Sequence, residues 1–128
     1  MRLLLDTHAL AWWLRDDPRL PTRARQSIAD PVNTVMVSAV SAFEAATKHR
    51  LGKWPDVELL VTDFERIVIA ENFSLLSIST QHAIAAGGFV AIHKDPFDRL
   101  LAAQCKLDGL SLVSADTAFR QFELDILW

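Results

Sequence analysis

Four carboxylates in this chain of 128 residues stand where catalysis or metal binding is commonly built: Asp6, Glu44, Asp98 and Asp116. Asp6 follows the apolar run Leu3, Leu4 and Leu5, which reads as a strand buried on both faces. Asp116 follows a second such run that ends at Ser114, and Glu44 and Asp98 fall near the starts of helical stretches. Each acid also has a purely structural reason to be there. Asp6 and Asp116 suit helix N-caps. Glu44 lies three residues after Ser41, the spacing of a capping box. Asp98 follows Asp95 and Pro96, a cap and a first helical residue, and favours the positive end of the helix. Together the four acids imply more. On one concave edge they would come within a single coordination sphere, and carboxylates that close repel unless a cation neutralises them. Oxygen ligands suit Mg²⁺ or Mn²⁺, and such an ion activates water and stabilises in-line attack at phosphorus. Zinc matches less well, because Cys105 is the only cysteine.

The elements between these acids alternate. Strands are expected at Leu3 to Leu5, Thr34 to Ser38, Ser74 to Ile78 and Leu110 to Ser114, with an edge strand at Leu124 to Leu127. Helices are expected from Ala9 to about Arg15, Thr22 to Ala29, Ser41 to Arg50 with Gly52 behind it, and Asp56 to Glu71. Three more follow: Thr80 to Ala86, Pro96 to the cap at Gly109, and a short one from Ala115 to Phe122. Strands separated by helices make right-handed crossovers. The fold class is therefore α/β: one domain with a short, mostly parallel central sheet of four or five strands and helices on both faces. All strand C-termini then share one edge, which is where such folds keep their ligands.

Bulk properties narrow the partners. Sixteen acids against 13 Lys and Arg give a net charge of −3, which argues against broad electrostatic attraction to nucleic acid. A local basic patch, or a metal that reverses the sign at one site, remains compatible. A single cysteine permits no intramolecular disulfide and asks for no oxidising compartment. The longest uncharged apolar run, Ala83 to Ile92, is far too short to span a bilayer and contains two glycines. With no signal peptide visible, the expected location is the cytoplasm, away from membranes.

Several segments together carry a family resemblance. These are Asp6, Thr7 and His8; Ser38 to Glu44 with Lys48 beyond; His93 to Leu101 with Ala103 and Gln104; and Ser114 to Asp116. The chain resembles the PIN-domain ribonucleases and, more narrowly, the VapC toxins of type II toxin–antitoxin pairs. The similarity runs nearly the whole length, to Leu127 and Trp128, and its segment from His93 to Gln104 is specific. What the resemblance implies is a PIN-like nuclease domain over residues 1–128, a Mg²⁺- or Mn²⁺-dependent endoribonuclease inhibited by a cognate antitoxin. It would work as a homodimer on structured RNA. The resemblance carries the catalytic and metal-holding roles onto Asp6, Glu44, Asp98 and Asp116, and makes Thr7 and Ser114 hydroxyls that orient carboxylates or water. Phe43, where relatives often have Trp, and the small residues between Glu44 and Lys48 depart from the family without removing an acid.

Other residues have less specific readings. Arg99 is expected to pair with an acid ahead of binding phosphate. His8 and His93 are read as hydrogen-bonding groups and Asp95 as a cap. Lys48, Arg50 and Lys53, in the densest basic cluster, are the expected RNA-phosphate contacts. Trp12, Trp13 and Trp54 are read as core or subunit contacts, with an antitoxin groove also open to them. Cys105 is read as a small buried residue. Two rival functions remain. A phospho-receiver domain needs adjacent acids after strand one, an acceptor Asp after strand three and a late lysine; here stand a lone Asp6, Ser77 to Ser79, and Lys106 in mid-helix. The other rival is a PIN-fold binding module without turnover.

Overall fold

Leu3, Leu4 and Leu5 have no exposed surface, because the strand they form, β1 (Arg2–Leu5), is the middle of a five-stranded sheet. The structure is a computed structural model that describes residues 1–54 and 57–128. On one side of β1 lie β2 (Thr34–Ser38) and then β3 (Ser74–Leu76); on the other lie β4 (Ser111–Val113) and β5 (Ile126–Leu127). Every pairing is parallel, so the sheet is wholly rather than mostly parallel.

The pleat divides the core in two. Leu3 and Leu5 point with Val35 and Val37 toward α1 (Thr7–Leu14), α2 (Thr22–Ala29) and the helix carrying Val68. Leu4 and Leu112 point the other way, toward Leu101 and Ala102 of a helix over Pro96–Asp108 and toward Phe119. α3 (Ala39–Arg50) serves both layers, Ala45 in the first and Val40 in the second. Helices on both faces are thus as expected. Among the described residues no helix is long and apolar enough to cross a membrane.

Several boundaries differ from the sequence reading. The helix expected from Asp56 to Glu71 is two, α4 (Glu58–Thr62) and α5 (Phe64–Ala70), broken at Asp63; Asp56 lies outside the described residues. β3 ends at Leu76, and Ser79 instead caps α6 (Thr80–Gly88) in a reciprocal box with His82. The next helix is α7 (Pro96–Asp108), closed by Gly109 in the left-handed conformation at φ +66°. The last helix is a tighter 3-10 helix, Thr117–Phe122.

From β1 the chain crosses through α1 and α2 to β2, whereas α6 and α7 carry it back from β3 to β4 on the opposite side. Connections that leave neighbouring strands in opposite directions open a crevice at the carboxyl edge. Here that crevice lies beside β1 and β4.

Candidate active site

Register brings the first acid into place. Leu5 is paired with Val113, so the next residues, Asp6 and Ser114, leave adjacent strands side by side. The Ser114 hydroxyl donates to the Asp6 carboxylate. Asp6 also caps α1, accepting from the Ala9 N–H at 2.7 Å. Only 7% of Asp6 is exposed. Burial raises its carboxyl pKa, against the pull of Ser114, Ala9 and His8, and the charge of Glu44 raises it further.

Glu44 is not part of a capping box. α3 begins at Ala39 with Ser38 as its cap, the Ser38 hydroxyl accepting from Val40 N–H at 3.0 Å. That places Ser41 inside the first turn, buried, and Glu44 in the second. The Thr7 hydroxyl donates to Glu44 Oε1 at 2.6 Å and shares a 3.0 Å hydrogen bond with the Ser41 hydroxyl. Lys48 Nζ donates to Glu44 Oε2 at 2.7 Å, one helical turn along. Lys48, expected as an RNA-phosphate contact, is in this structure also a partly buried counter-charge to Glu44. The spacing of four between them was the available signal for this pair.

Asp98 is free of capping, as expected. Asp95 takes that role, its carboxylate accepting from Phe97 N–H at 2.8 Å and Asp98 N–H at 3.2 Å. Asp98 Oδ2 lies 2.7 Å from His93 Nε2, so His93 is a hydrogen-bonding group as expected. Burial pushes the Asp98 carboxyl up to about 6, the His93 bond opposing and the charges of Asp95 and Glu44 adding to the rise.

Asp116 stands apart. It caps the 3-10 helix through Ala118 N–H at 2.9 Å, and its own N–H donates to the Ser114 hydroxyl at 3.0 Å. Exposed, it lines a cavity of about 540 Å³ with Ser114, Arg120 and Trp128. Asp6, Glu44 and Asp98 thus form one electrostatic neighbourhood, with Glu44 acting on both of the others. The single coordination sphere expected of all four is not preformed: among the described residues, no three Asp, Glu, His or Cys side chains are gathered as a ligand set. The reason is local. Glu44 is drawn to Thr7 and Lys48, and Asp98 to His93.

Arg99 corrects another expectation. Among the described residues its guanidinium meets no acid and instead donates to four backbone carbonyls: Ala86 at 2.8 Å, Phe89 at 2.6 Å, Ala91 at 3.1 Å and His93 at 2.9 Å. It shapes the loop that delivers His93 to Asp98. His82, which the sequence reading passed over, is buried; its ring accepts from Ser79 N–H at 2.9 Å and lies 3.0 Å from Asp108. A Ser three residues before a His was the available signal. Cys105 is buried and its thiol is pushed up to about 12, so it is no nucleophile at neutral pH. Lys106 Nζ donates to the Phe122 carbonyl at 2.7 Å, and no acid follows β3 directly, so the parts of a phospho-receiver are not present.

Thr7 offers a clean test of this network. Thr7→Val keeps the shape and removes the donor to a buried carboxylate, so it should destabilise the chain by about 2 kcal/mol while Thr7→Ser restores most of it. Urea midpoints measure both; a Thr7→Val midpoint equal to the parent's would remove the hydroxyl from the account.

Comparison with known proteins agrees with this architecture. A curated relative, Ribonuclease VapC22 of Mycobacterium tuberculosis, is 29% identical over 120 residues, covering 92% of this chain and 89% of that protein. Solved structures share the fold at lower identity. VapBC2 from Rickettsia felis, bound to a DNA fragment from its promoter, matches with a TM-score of 0.69 at 16% identity, covering 99% of this chain and 98% of that one. FitAcB from Neisseria gonorrhoeae matches with a TM-score of 0.64 at 20% identity, covering 98% and 96%. The family model described as the PIN domain matches residues 3–124, and the chain belongs to that family.

Proposed function

We propose that this chain is a VapC-type endoribonuclease, the toxin of a type II toxin–antitoxin pair, that hydrolyses RNA phosphodiesters with Mg²⁺ or Mn²⁺. One observation carries the reading: Asp6 and Glu44 are buried and Asp98 is half-buried at the carboxyl edge of the sheet, with the charge of Glu44 acting on both of the others. Like-charged buried acids are costly in a fold and mark a site that a cation completes. The donors fit a hard divalent ion, being carboxylates and hydroxyls with no thiol among them. Asp6, Glu44 and Asp98 would hold it, with Asp116 approaching from beyond Ser114. Such an ion supplies charge neutralisation at phosphorus and a lowered pKa for the attacking water.

The chain's own residues set the stage for that chemistry. Ala9 N–H and the Ser114 hydroxyl fix Asp6. The Thr7 hydroxyl fixes Glu44, and His93 orients Asp98. The relative named as a ribonuclease supports the substrate class. An antitoxin partner is supported by the VapBC assemblies among the structural neighbours and by an apolar groove of about 270 Å³ lined by Ala11, Leu14, Leu60 and Ile67. A homodimer would cover Phe43, Val90 and Ile92, which are 63%, 99% and 86% exposed. Action in the cytoplasm fits an RNA substrate and a lone reduced cysteine.

The deciding experiment incubates purified, antitoxin-free chain with total cellular RNA, with Mn²⁺ or Mg²⁺ and with EDTA, beside Asp6→Asn. Cleavage that needs the metal and disappears in the variant is the expected result. Cleavage that survives in both EDTA and Asp6→Asn would overturn the reading. A well-folded chain that cleaves nothing and binds no Mn²⁺ would favour the binding-module alternative.

A further inference from the structure

Next to the acids, α1, α3 and the segment after α3 enclose a separate cavity of about 330 Å³, within the range of small-molecule pockets. Its walls include Trp12, Trp54, His8, Arg19, Lys48 and Lys53. In a chain whose net charge is −3, no carboxylate among the described residues lines it. Two of its aromatic rings already stack on one another, with His8 on the outer side. The His8 and Trp54 rings lie 5.3 Å apart and 20° from parallel, and His8 is exposed. Cations stand over the faces of the two indoles: Lys48 Nζ 6.0 Å over Trp54 and the Arg19 guanidinium 5.0 Å over Trp12. Lys53 is exposed at the rim, while Arg50, the third expected RNA contact, does not line the cavity.

Flat π-faces bordered by positive charge recognise an unpaired base together with its phosphate, whatever the sequence. The cavity is also joined to the acids through two residues. Lys48 spans both, its Nζ 2.7 Å from Glu44 Oε2, and His8 follows Thr7 directly. We propose that this cavity is a substrate subsite: it takes one unstacked base of single-stranded RNA on the Trp54 and His8 platform, with Lys53 toward the flanking phosphate, and so leads the adjoining phosphodiester to Asp6 and Glu44. The identity of the ligand as RNA rests on the nuclease reading; the preference for a base beside a phosphate rests on the cavity alone.

The test uses the full chain without antitoxin and two probes, a nucleoside 5′-monophosphate and ribose 5-phosphate, read by the indole N–H signals in NMR. The nucleotide should shift the Trp54 indole and bind about tenfold more tightly than ribose 5-phosphate. Trp54→Leu should lose about that factor in nucleotide affinity and in RNA cleavage, and Trp54→Phe should keep most of both. Equal binding of the two probes would reduce the cavity to an anion site and overturn the proposal, as would an absence of indole shifts at saturating nucleotide. If Trp54→Leu melts early, the two probes on the parent chain and on Trp54→Phe still decide. Failure of each idea is separable: nucleotide binding by a chain that cleaves no RNA removes the nuclease and leaves the subsite. Metal-dependent cleavage indifferent to Trp54 removes the subsite and leaves the nuclease.

Discussion

At pH 8 in EDTA, Asp98→Asn protein should melt above the parent chain, and on return of metal it should cleave RNA roughly a hundredfold more slowly or worse. The two effects share one cause. Burial holds the Asp98 carboxyl near 6, above its ordinary value of 3.8. The folded chain therefore binds that proton more tightly than the unfolded chain does. The stabilisation from this group is complete below about pH 4 and is lost as pH rises through 6. Two pH units correspond to about 2–3 kcal/mol, felt at pH 8 as the cost of an ionised acid in a poorly solvated place. Asparagine removes the charge and can still accept from His93. The parent's melting temperature should fall between pH 5 and pH 8 by several degrees more than the variant's. Mn²⁺ should restore the parent's stability by binding the folded state, and leave the variant little changed. Melting curves at two pH values, with and without metal, read all of this. A variant less stable than the parent at pH 8 would mean that Asp98 is at ease as an anion.

Arg99→Ala should be among the most destabilising single changes in the chain, at about 3 kcal/mol or more. One guanidinium satisfies the carbonyls of Ala86, Phe89, Ala91 and His93, and it lies 5.8 Å over the Phe89 ring. Alanine leaves four carbonyls to find water and frees the loop that aims His93 at Asp98. Lysine cannot replace a planar fork that bridges several acceptors, so Arg99→Lys should recover only a small part. Amide exchange over residues 89–93 should quicken in both variants, and cleavage should drop with it. An Arg99→Ala chain melting within a degree of the parent would show that the loop holds itself.

The layout of strands and the carboxyl edge could be read from the sequence because they depend on local pattern. Leu3 to Leu5 are apolar in succession and buried on both faces, and Gly109 sits where a helix must close. The membership of the PIN family could also be read, from short motifs around Asp6, His93 to Gln104 and Ser114. What could not be read depends on partners far along the chain. Ser41 and Glu44 have the spacing of a capping box, yet Ser38 starts the helix, and the box gives way to a contact with Thr7 that spans 37 positions. Arg99 follows an acid and looks like its partner; the carbonyls that claim it come from a loop whose path no spacing reveals. Trp54 packs against the core, one of the roles read for it, but only the folded chain shows it also stacked with His8 and lying under Lys48.

The order of strands also has a consequence for how the protein is made. β1 is synthesised first and lies in the centre of the sheet, but one of its two neighbours, β4, is residues 111–113. Until those emerge from the ribosome, one whole flank of β1 has no hydrogen-bonding partner, Asp6 lacks Ser114, and the edge on which the acids meet does not exist. A growing chain thus carries Asp6, Glu44 and Asp98 before the strand that completes their edge of the sheet exists. Any chemistry built on that edge therefore waits until residues 111–113 have been made.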